Sequence, residues 1–169
     1  PFMGNKLESF RYPFYFSYLE KWFCKKADFI TIPVRTAISG YYKEFHSKIR
    51  VIPQGFNFEN IPRTSFNQSD AVINFAYAGG VTLNGVRSPI NFIKLLLSMN
   101  NEYRFHIYSV SQKEFLLPFV EESKGKIILH DPLSHEALLL KLSEMDFLVN
   151  FDNGTSMQIP SKLIDYALT

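Results

Sequence analysis

The sequence has a single cysteine, no large excess of either charge and no long apolar run. Cys24 has no partner for an internal disulfide and no neighbouring ligands at metal-binding spacing, which favours a reducing compartment. The formal net charge of +2 gives neither the basic surface of a nucleic-acid-binding protein nor an acidic tail. No apolar run reaches roughly 18 residues, so the sequence predicts no membrane span.

Apolar residues are abundant, at 46% of 169 positions. This is enough for a sizeable core in about one domain, since domains typically have roughly 100–200 residues. The chain opens without methionine, and it stops two or three turns into its last predicted helix. We therefore expect it to be a piece of a longer protein.

Aromatic residues crowd the first thirty positions. Tyr15, Tyr18, Leu19 and Trp22 recur at the spacing of one helix face. Together with three nearby lysines, such a face could lie on a membrane surface. The breadth of the apolar face favours the other interpretation, in which it packs against another part of the protein.

The rest of the chain alternates between apolar strands and helices. The stretches "ADFITIP" and "IRVIPQGFN" predict two strands, with one helix over residues 35–48 between them. Residues 58–70 lose periodicity and predict a linker. From residue 71 onward, four strand patterns alternate with helix patterns, and Ser134 is a suitable residue to begin one of these helices. The strands read as continuous apolar runs, which predicts an α/β fold with a parallel sheet.

Ligands of open parallel sheets bind at the carboxyl ends of the strands. Two of the four segments that follow the predicted strands contain glycine or small polar residues together with a cation, Arg87 or Lys162. The pair Gly79-Gly80 would let a ligand approach the backbone closely. Its spacing matches neither a dinucleotide-binding fingerprint nor a phosphate-binding P-loop.

The stretch "PSKLIDY", residues 160–166, has two interpretations. One is a helix start with a surface pair between Lys162 and Asp165. The other is an anion site, in which amides at the helix N-terminus and the Lys162 ammonium bind phosphate. The residues alone leave both open.

Four stretches in order resemble the group-1 glycosyltransferases of the two-domain GT-B fold. "CKKADFITIPVRTAISGYYKEFHSKIRVIPQGFN" is similar to their hinge region, and "INFAYAGGV" to the first strand and glycine turn of their C-terminal domain. "HDPLSHEALLLKLSEMDFLVNF" and "IPSKLIDYAL" resemble two later motifs. The resemblance spans nearly the whole chain and implies a parallel-sheet, Rossmann-like (GT-B) domain, preceded by the end of another α/β domain.

The resemblance also implies roles for individual residues. In the family, the second acid of an E-x7-E pair binds the donor ribose, and Asp165 stands at that place. Met157 replaces the first acid, as is common in members with a "PSK" helix. Arg87 comes a residue or so late for the family's diphosphate-binding lysine, and Val81 or Gly80 stands where an arginine is usual. Catalytic residues are not assigned. The predicted donor-binding residues are Gly79, Gly80, Arg87, Ser109, Leu133, Thr155, Ser156, Ser161, Lys162 and Asp165.

The implied function is transfer of a sugar from a nucleotide-diphosphate donor to a saccharide or lipid-linked acceptor, in cell-surface polysaccharide or glycoconjugate synthesis. The implied enzyme is retaining, needs no cofactor or metal, and is cytoplasmic with possible peripheral contact to the inner membrane face. Residues 1–58 would end the acceptor-side domain and include the hinge strand, 59–71 would be a linker, and 72–169 would bind the donor. This piece alone is expected to be inactive. The alternatives are a sugar-nucleotide 2-epimerase and a non-catalytic flavodoxin-like binding module.

Overall fold

The computed structural model describes residues 13–55, 72–85, 87–109, 113–151 and 159–169. The chain divides into two compact units, residues 1–56 with 153–159 and residues 57–152 with 160–169. The linker predicted at 59–71 lies outside the described residues, and the predicted domain boundaries stay a prediction.

The described residues of the first unit form one α-helix, two short parallel strands and two 3-10 helices. Helix α1 spans Phe16–Lys26, β1 spans Ile30–Ile32 and β2 spans Ile49–Val51. The two strands pair in parallel, with Ile30 opposite Ile49. Isoleucines from both strands form a small core with Ala37. The two predicted strands are therefore confirmed.

The single helix predicted over residues 35–48 is wrong. The structure has two 3-10 helices, Arg35–Gly40 and Lys43–Lys48, separated by residues with extended backbone. Gly40 ends the first of them. Glycine costs about 1 kcal/mol in a helix interior, and the β-branched Thr36 and Ile38 add to the penalty, so a continuous α-helix is disfavoured here.

The aromatic face of α1 is exposed in this structure. Tyr15, Tyr18, Leu19 and Trp22 all keep between 46% and 70% of their surface accessible. The opposite side holds the buried Cys24. An exposed apolar face of this size is typical of an interaction surface. The predicted peripheral membrane contact stays a prediction.

A lysine from far along the chain closes the C-terminal end of α1. The ammonium of Lys48 donates hydrogen bonds to the backbone carbonyls of Cys24, Lys25 and Ala27, at 3.2, 2.9 and 2.8 Å. The last carbonyls of a helix have no partner inside the helix, and a cation there also interacts favourably with the helix dipole. Lys48 therefore fixes where α1 ends.

The second unit is built on a parallel four-stranded sheet. Its strands are β3 (Ile73–Ala78), β4 (Tyr103–Tyr108), β5 (Ile127–His130) and β6 (Phe147–Leu148). The helices are α2 (Ile90–Ser98), α3 (Leu117–Glu122), α4 (His135–Leu142) and α5 (Lys162–Ala167), with a 3-10 turn at Glu114–Leu116 before α3. Ser134 caps α4 by accepting a hydrogen bond from the Ala137 amide, as predicted.

The strand order in the sheet is β5-β4-β3-β6. The chain runs from β3 through β4 to β5 in one direction, and it then returns to place β6 on the other side of β3. This reversal is a topological switch point, where the loops leaving β3 and β6 diverge and ligands usually bind. The pairing of β3 with β6 covers only two positions, Phe75 with Phe147 and Ala76 with Leu148.

Helices pack on both faces of the sheet. Large side chains of β3 and β4, among them Tyr77 and Phe105, form the main core with residues of α2. The alternate positions Ala76 and Ala78 face the other way, into a smaller cluster with residues of α4 and α5. Alternation along a strand explains this division. In the described part of the chain, no helix is long and apolar enough to cross a membrane.

Candidate functional site

The switch point begins at Gly79, directly after β3. Its φ of +144° is a conformation that residues with a Cβ rarely adopt. A Cβ placed there would lie 3.0 Å from the Nζ of Lys162 and 3.2 Å from the hydroxyl of Tyr77. Glycine is therefore needed both for the turn and for the close approach of Lys162.

Lys162 is brought to this turn by the start of α5. Its ammonium lies 4.0 Å from the centroid of the Tyr77 ring, a cation–π contact. The Tyr77 hydroxyl in turn donates to the carbonyl of Gly80, at 2.7 Å. Burial, and to a lesser degree the charge of Arg87, lowers the pKa of Lys162 to about 8. Two of the predicted cations are thus electrostatically coupled at the switch point.

Asp165 does not pair with Lys162. Its Oδ1 accepts a hydrogen bond from the Nε2 of His135, the first residue of α4, at 3.0 Å. The surface pair between Lys162 and Asp165, one of the two interpretations of "PSKLIDY", is therefore wrong. The two residues therefore engage different partners, Tyr77 and His135.

Tyr166 fixes α5 to the sheet beside this site. Its hydroxyl accepts a hydrogen bond from the Ala78 amide at 3.0 Å and donates one to the Val149 carbonyl at 3.1 Å. Burial raises the pKa of Tyr166 to about 12, so the phenol keeps its proton. Ala78 ends β3 and Val149 directly follows β6, so the phenol bridges the two strands where they part.

The other predicted residues in the described ranges differ in their exposure to solvent. Gly80 is exposed in the turn after Gly79, and Arg87 is exposed further along the same loop. Ser109 is buried at the end of β4. Leu133 lies in the loop between β5 and α4, with 43% of its surface exposed.

Three of the predicted positions concern α5 and the segment before it. Ser161 precedes α5, and its side chain makes no capping hydrogen bond. Helix α5 has only six residues, so the site depends on the Lys162 ammonium more than on helix amides. Thr155 and Ser156 lie outside the described residues, as does Met157.

Sequence reasoning assigned no role in the site to Tyr77, His135 or Tyr166. Tyr77 lies within an apolar strand pattern that gives it no special role. Tyr166 is the last residue of the stretch "PSKLIDY". His135 lies 30 residues from Asp165. A tyrosine directly after a candidate acid was the available signal for Tyr166, whereas no local signal marks the other two.

A pair of histidines lies on the neighbouring strands β4 and β5. The Nδ1 of His106 and the Nε2 of His130 are 2.8 Å apart, and the His130 ring stacks on Tyr108. Burial lowers the pKa of His106 to about 4 and also lowers that of His130. A hydrogen bond between two imidazoles needs one of them to accept, which requires a neutral ring. We assign this pair to packing within the sheet.

No protein family matches the chain, and no curated protein matches it. Among solved structures, the chain is similar to the lipopolysaccharide outer core galactosyltransferase WaaB in its apo form, with 15% sequence identity and a TM-score of 0.53. The match covers 72% of this chain and 36% of the galactosyltransferase chain, so this chain spans about a third of its length. At this identity the likeness shows the fold, and the predicted fold class, a parallel-sheet Rossmann-like (GT-B) fragment, is confirmed.

Proposed function

We propose that this chain contains the donor-binding unit of a nucleotide-sugar-dependent glycosyltransferase of the group-1, retaining type. The full enzyme would transfer a sugar from a nucleotide diphosphate to a saccharide or lipid-linked acceptor in polysaccharide or glycoconjugate synthesis. The fold shared with a galactosyltransferase supports this class.

The observation that carries the proposal is the position of Lys162 at the switch point. No carboxylate of the described residues pairs with this ammonium, and burial together with Arg87 makes its charge costly. A bound anion would remove that cost. The ammonium lies close to Gly79, so an anion bound to it would lie at this turn.

The chemistry of glycosyl transfer fits this arrangement. When the sugar leaves, negative charge develops on the nucleoside diphosphate, and preorganised cations stabilise it most strongly where water is partly excluded. Lys162 and Arg87 would supply this stabilisation without a metal ion. Asp165, one turn further along α5, would accept hydrogen bonds from the ribose hydroxyls.

Separate substitutions of the two charges test the proposal. We expect Lys162→Ala to weaken binding of a nucleoside diphosphate about 10- to 150-fold, the effect of losing one charged hydrogen bond of about 1.5–3 kcal/mol. It should affect the matching nucleoside little. Asp165→Asn should weaken both, because both contain ribose. Calorimetric titration with UDP, GDP and ADP and their nucleosides measures this.

Lys94→Ala, on the exposed side of α2, is the matched control for loss of a lysine. It should bind every nucleotide as the wild type does. Unchanged diphosphate affinity in Lys162→Ala, or no binding by the wild type, would refute the proposed site.

The depressed pKa of Lys162 predicts a pH dependence of binding. With a pKa of about 8, the amine is mostly protonated at pH 7 and mostly neutral at pH 9. Because the anion binds the protonated form, diphosphate affinity should fall roughly tenfold between these values. In the free protein the sign is opposite: the folded pKa lies below 10.5, so this group adds stability as pH rises from about 8 to 10.5.

The variant Lys162→Arg provides the control for this pH effect, because arginine stays charged throughout the range. Its diphosphate affinity should be flat between pH 7 and 9. The matching nucleoside, titrated in parallel, corrects for ionisation of the base. A pH profile that is the same in both proteins would contradict the assignment to Lys162.

A further inference from the structure

The contact between His135 and Asp165 joins two helices that both begin at the carboxyl edge of the sheet. His135 is the first residue of α4, and Asp165 lies on α5. The nitrogen Nε2 must donate here, because a carboxylate only accepts hydrogen bonds. The neutral Nε2–H tautomer and the protonated ring both satisfy this, so the contact does not depend on the charge of His135.

The pair contributes little to folding. The side chain of His135 is 55% exposed and that of Asp165 is 28% exposed. Exposed ion pairs of this kind contribute about 0–1 kcal/mol because solvent screens them. The carboxylate is the more buried of the two side chains. The contact therefore suits a role in orienting the Asp165 carboxylate better than a role in stability.

The backbone of Asp165 is already fixed by its neighbour. The Tyr166 hydroxyl holds α5 to Ala78 and Val149, which leaves the two side-chain torsions of Asp165 free to vary. His135 restricts that freedom by donating to Oδ1, the one side-chain hydrogen bond that the described residues make with this carboxylate. Oδ2 then remains available as an acceptor for a ligand hydroxyl.

We propose that His135 is a positioning residue that orients the Asp165 carboxylate for the ribose hydroxyls of the nucleotide. The proposal rests on the proposed function, since it needs Asp165 to bind ribose. It assigns His135 to recognition of the sugar of the nucleotide, whereas Lys162 acts on the phosphates. His135 acts through Asp165 and need not touch the ligand itself.

The test measures discrimination between ribose and deoxyribose. Titrations with UDP, GDP and ADP identify a nucleotide that binds, and its 2′-deoxy analogue is then titrated into each variant. The ratio of the two affinities reports the ribose contact alone, because phosphate and base contacts cancel. A merely structural role of His135 would leave this ratio unchanged.

We expect His135→Phe, which keeps a ring but has no donor, to reduce the ratio three- to tenfold, towards the value for Asp165→Asn. In His135→Gln, the side-chain amide can donate a hydrogen bond to Asp165 over a similar distance, so the affinity ratio should stay within twofold of the wild type. In the Asp165→Asn background, His135→Phe should have no further effect, because the two residues act as one unit. Glu136→Gln, the next residue on α4, is the control for a local change of charge.

The possible failures are distinguishable. If His135→Phe keeps the wild-type ratio while Asp165→Asn loses it, His135 does not position the acid and only this inference falls. If Asp165→Asn also keeps the ratio while Lys162→Ala still weakens diphosphate binding, the ribose role falls and the phosphate site stands. No nucleotide binding by the wild type overturns both proposals.

Discussion

Replacing Tyr166 with phenylalanine is expected to lower the free energy of unfolding by about 2–4 kcal/mol. The phenol satisfies two backbone groups, the Ala78 amide and the Val149 carbonyl, at 3.0 and 3.1 Å. Each buried group left without a partner costs about 1–3 kcal/mol. Phenylalanine keeps the ring packed between Ala78 and α4 but satisfies neither group. Urea denaturation of the two proteins, monitored by circular dichroism, measures the difference.

Tyr18→Phe is the matched control, since its side chain is 70% exposed on α1. It removes the same oxygen without uncovering a buried backbone group, and it should leave the free energy of unfolding nearly unchanged. Equal unfolding midpoints for the two variants would show that the hydroxyl of Tyr166 does not hold the strands together.

Gly79→Ala is expected to impair both stability and ligand binding. Holding a residue with a Cβ at φ +144° costs about 1–3 kcal/mol of strain. The added methyl would also lie 3.0 Å from the Nζ of Lys162, so the ammonium must shift by a few tenths of an ångström from its position over Tyr77. Thermal unfolding should report the strain, and calorimetry should report a loss of diphosphate affinity of at least about tenfold, of the order expected for one charged contact.

The control separates backbone strain from displacement of Lys162. Gly125 also has a positive φ, +90°, but a Cβ there would meet no atom within 4 Å. Gly125→Ala should therefore lower stability by a similar amount and leave nucleotide binding intact. If both variants lose diphosphate affinity equally, the effect is global, and the proposed contact between Gly79 and Lys162 is unimportant for binding.

Much of the fold could be predicted because the local signals agreed. The apolar strands β3 to β5 and the helices between them follow patterns contained within each segment, and Ser134 marks the start of α4 through its own side chain. The helix predicted over residues 35–48 failed because the penalties at Gly40 and its β-branched neighbours outweigh the apolar spacing. The order of strands, with β6 beside β3, is set by contacts between distant segments and has no local signature.

The candidate site was predicted in part for the same reason. Gly79, Lys162 and Asp165 follow strand ends, so the rule for parallel sheets selects them from the sequence. The partners that position them are distant in sequence: His135 lies 30 residues before Asp165, and Tyr166 lies 88 residues after Ala78. Sequence patterns identify which chemical groups are available, whereas the packing of α4 and α5 decides which of them meet.

The way in which the sheet is joined at its switch point also has a consequence for the order of folding. Strand β3 pairs with β4 at residues 30 apart, Ile73 with Tyr103, and β4 pairs with β5 at residues 22 apart, Phe105 with Ile127. The junction with β6 and α5 closes longer loops, of 72 and 88 residues. Loop closure becomes more costly as the loop lengthens, and distant contacts slow folding. The β3–β4–β5 core can therefore assemble first, and the edge that holds Lys162 and Asp165 is completed last.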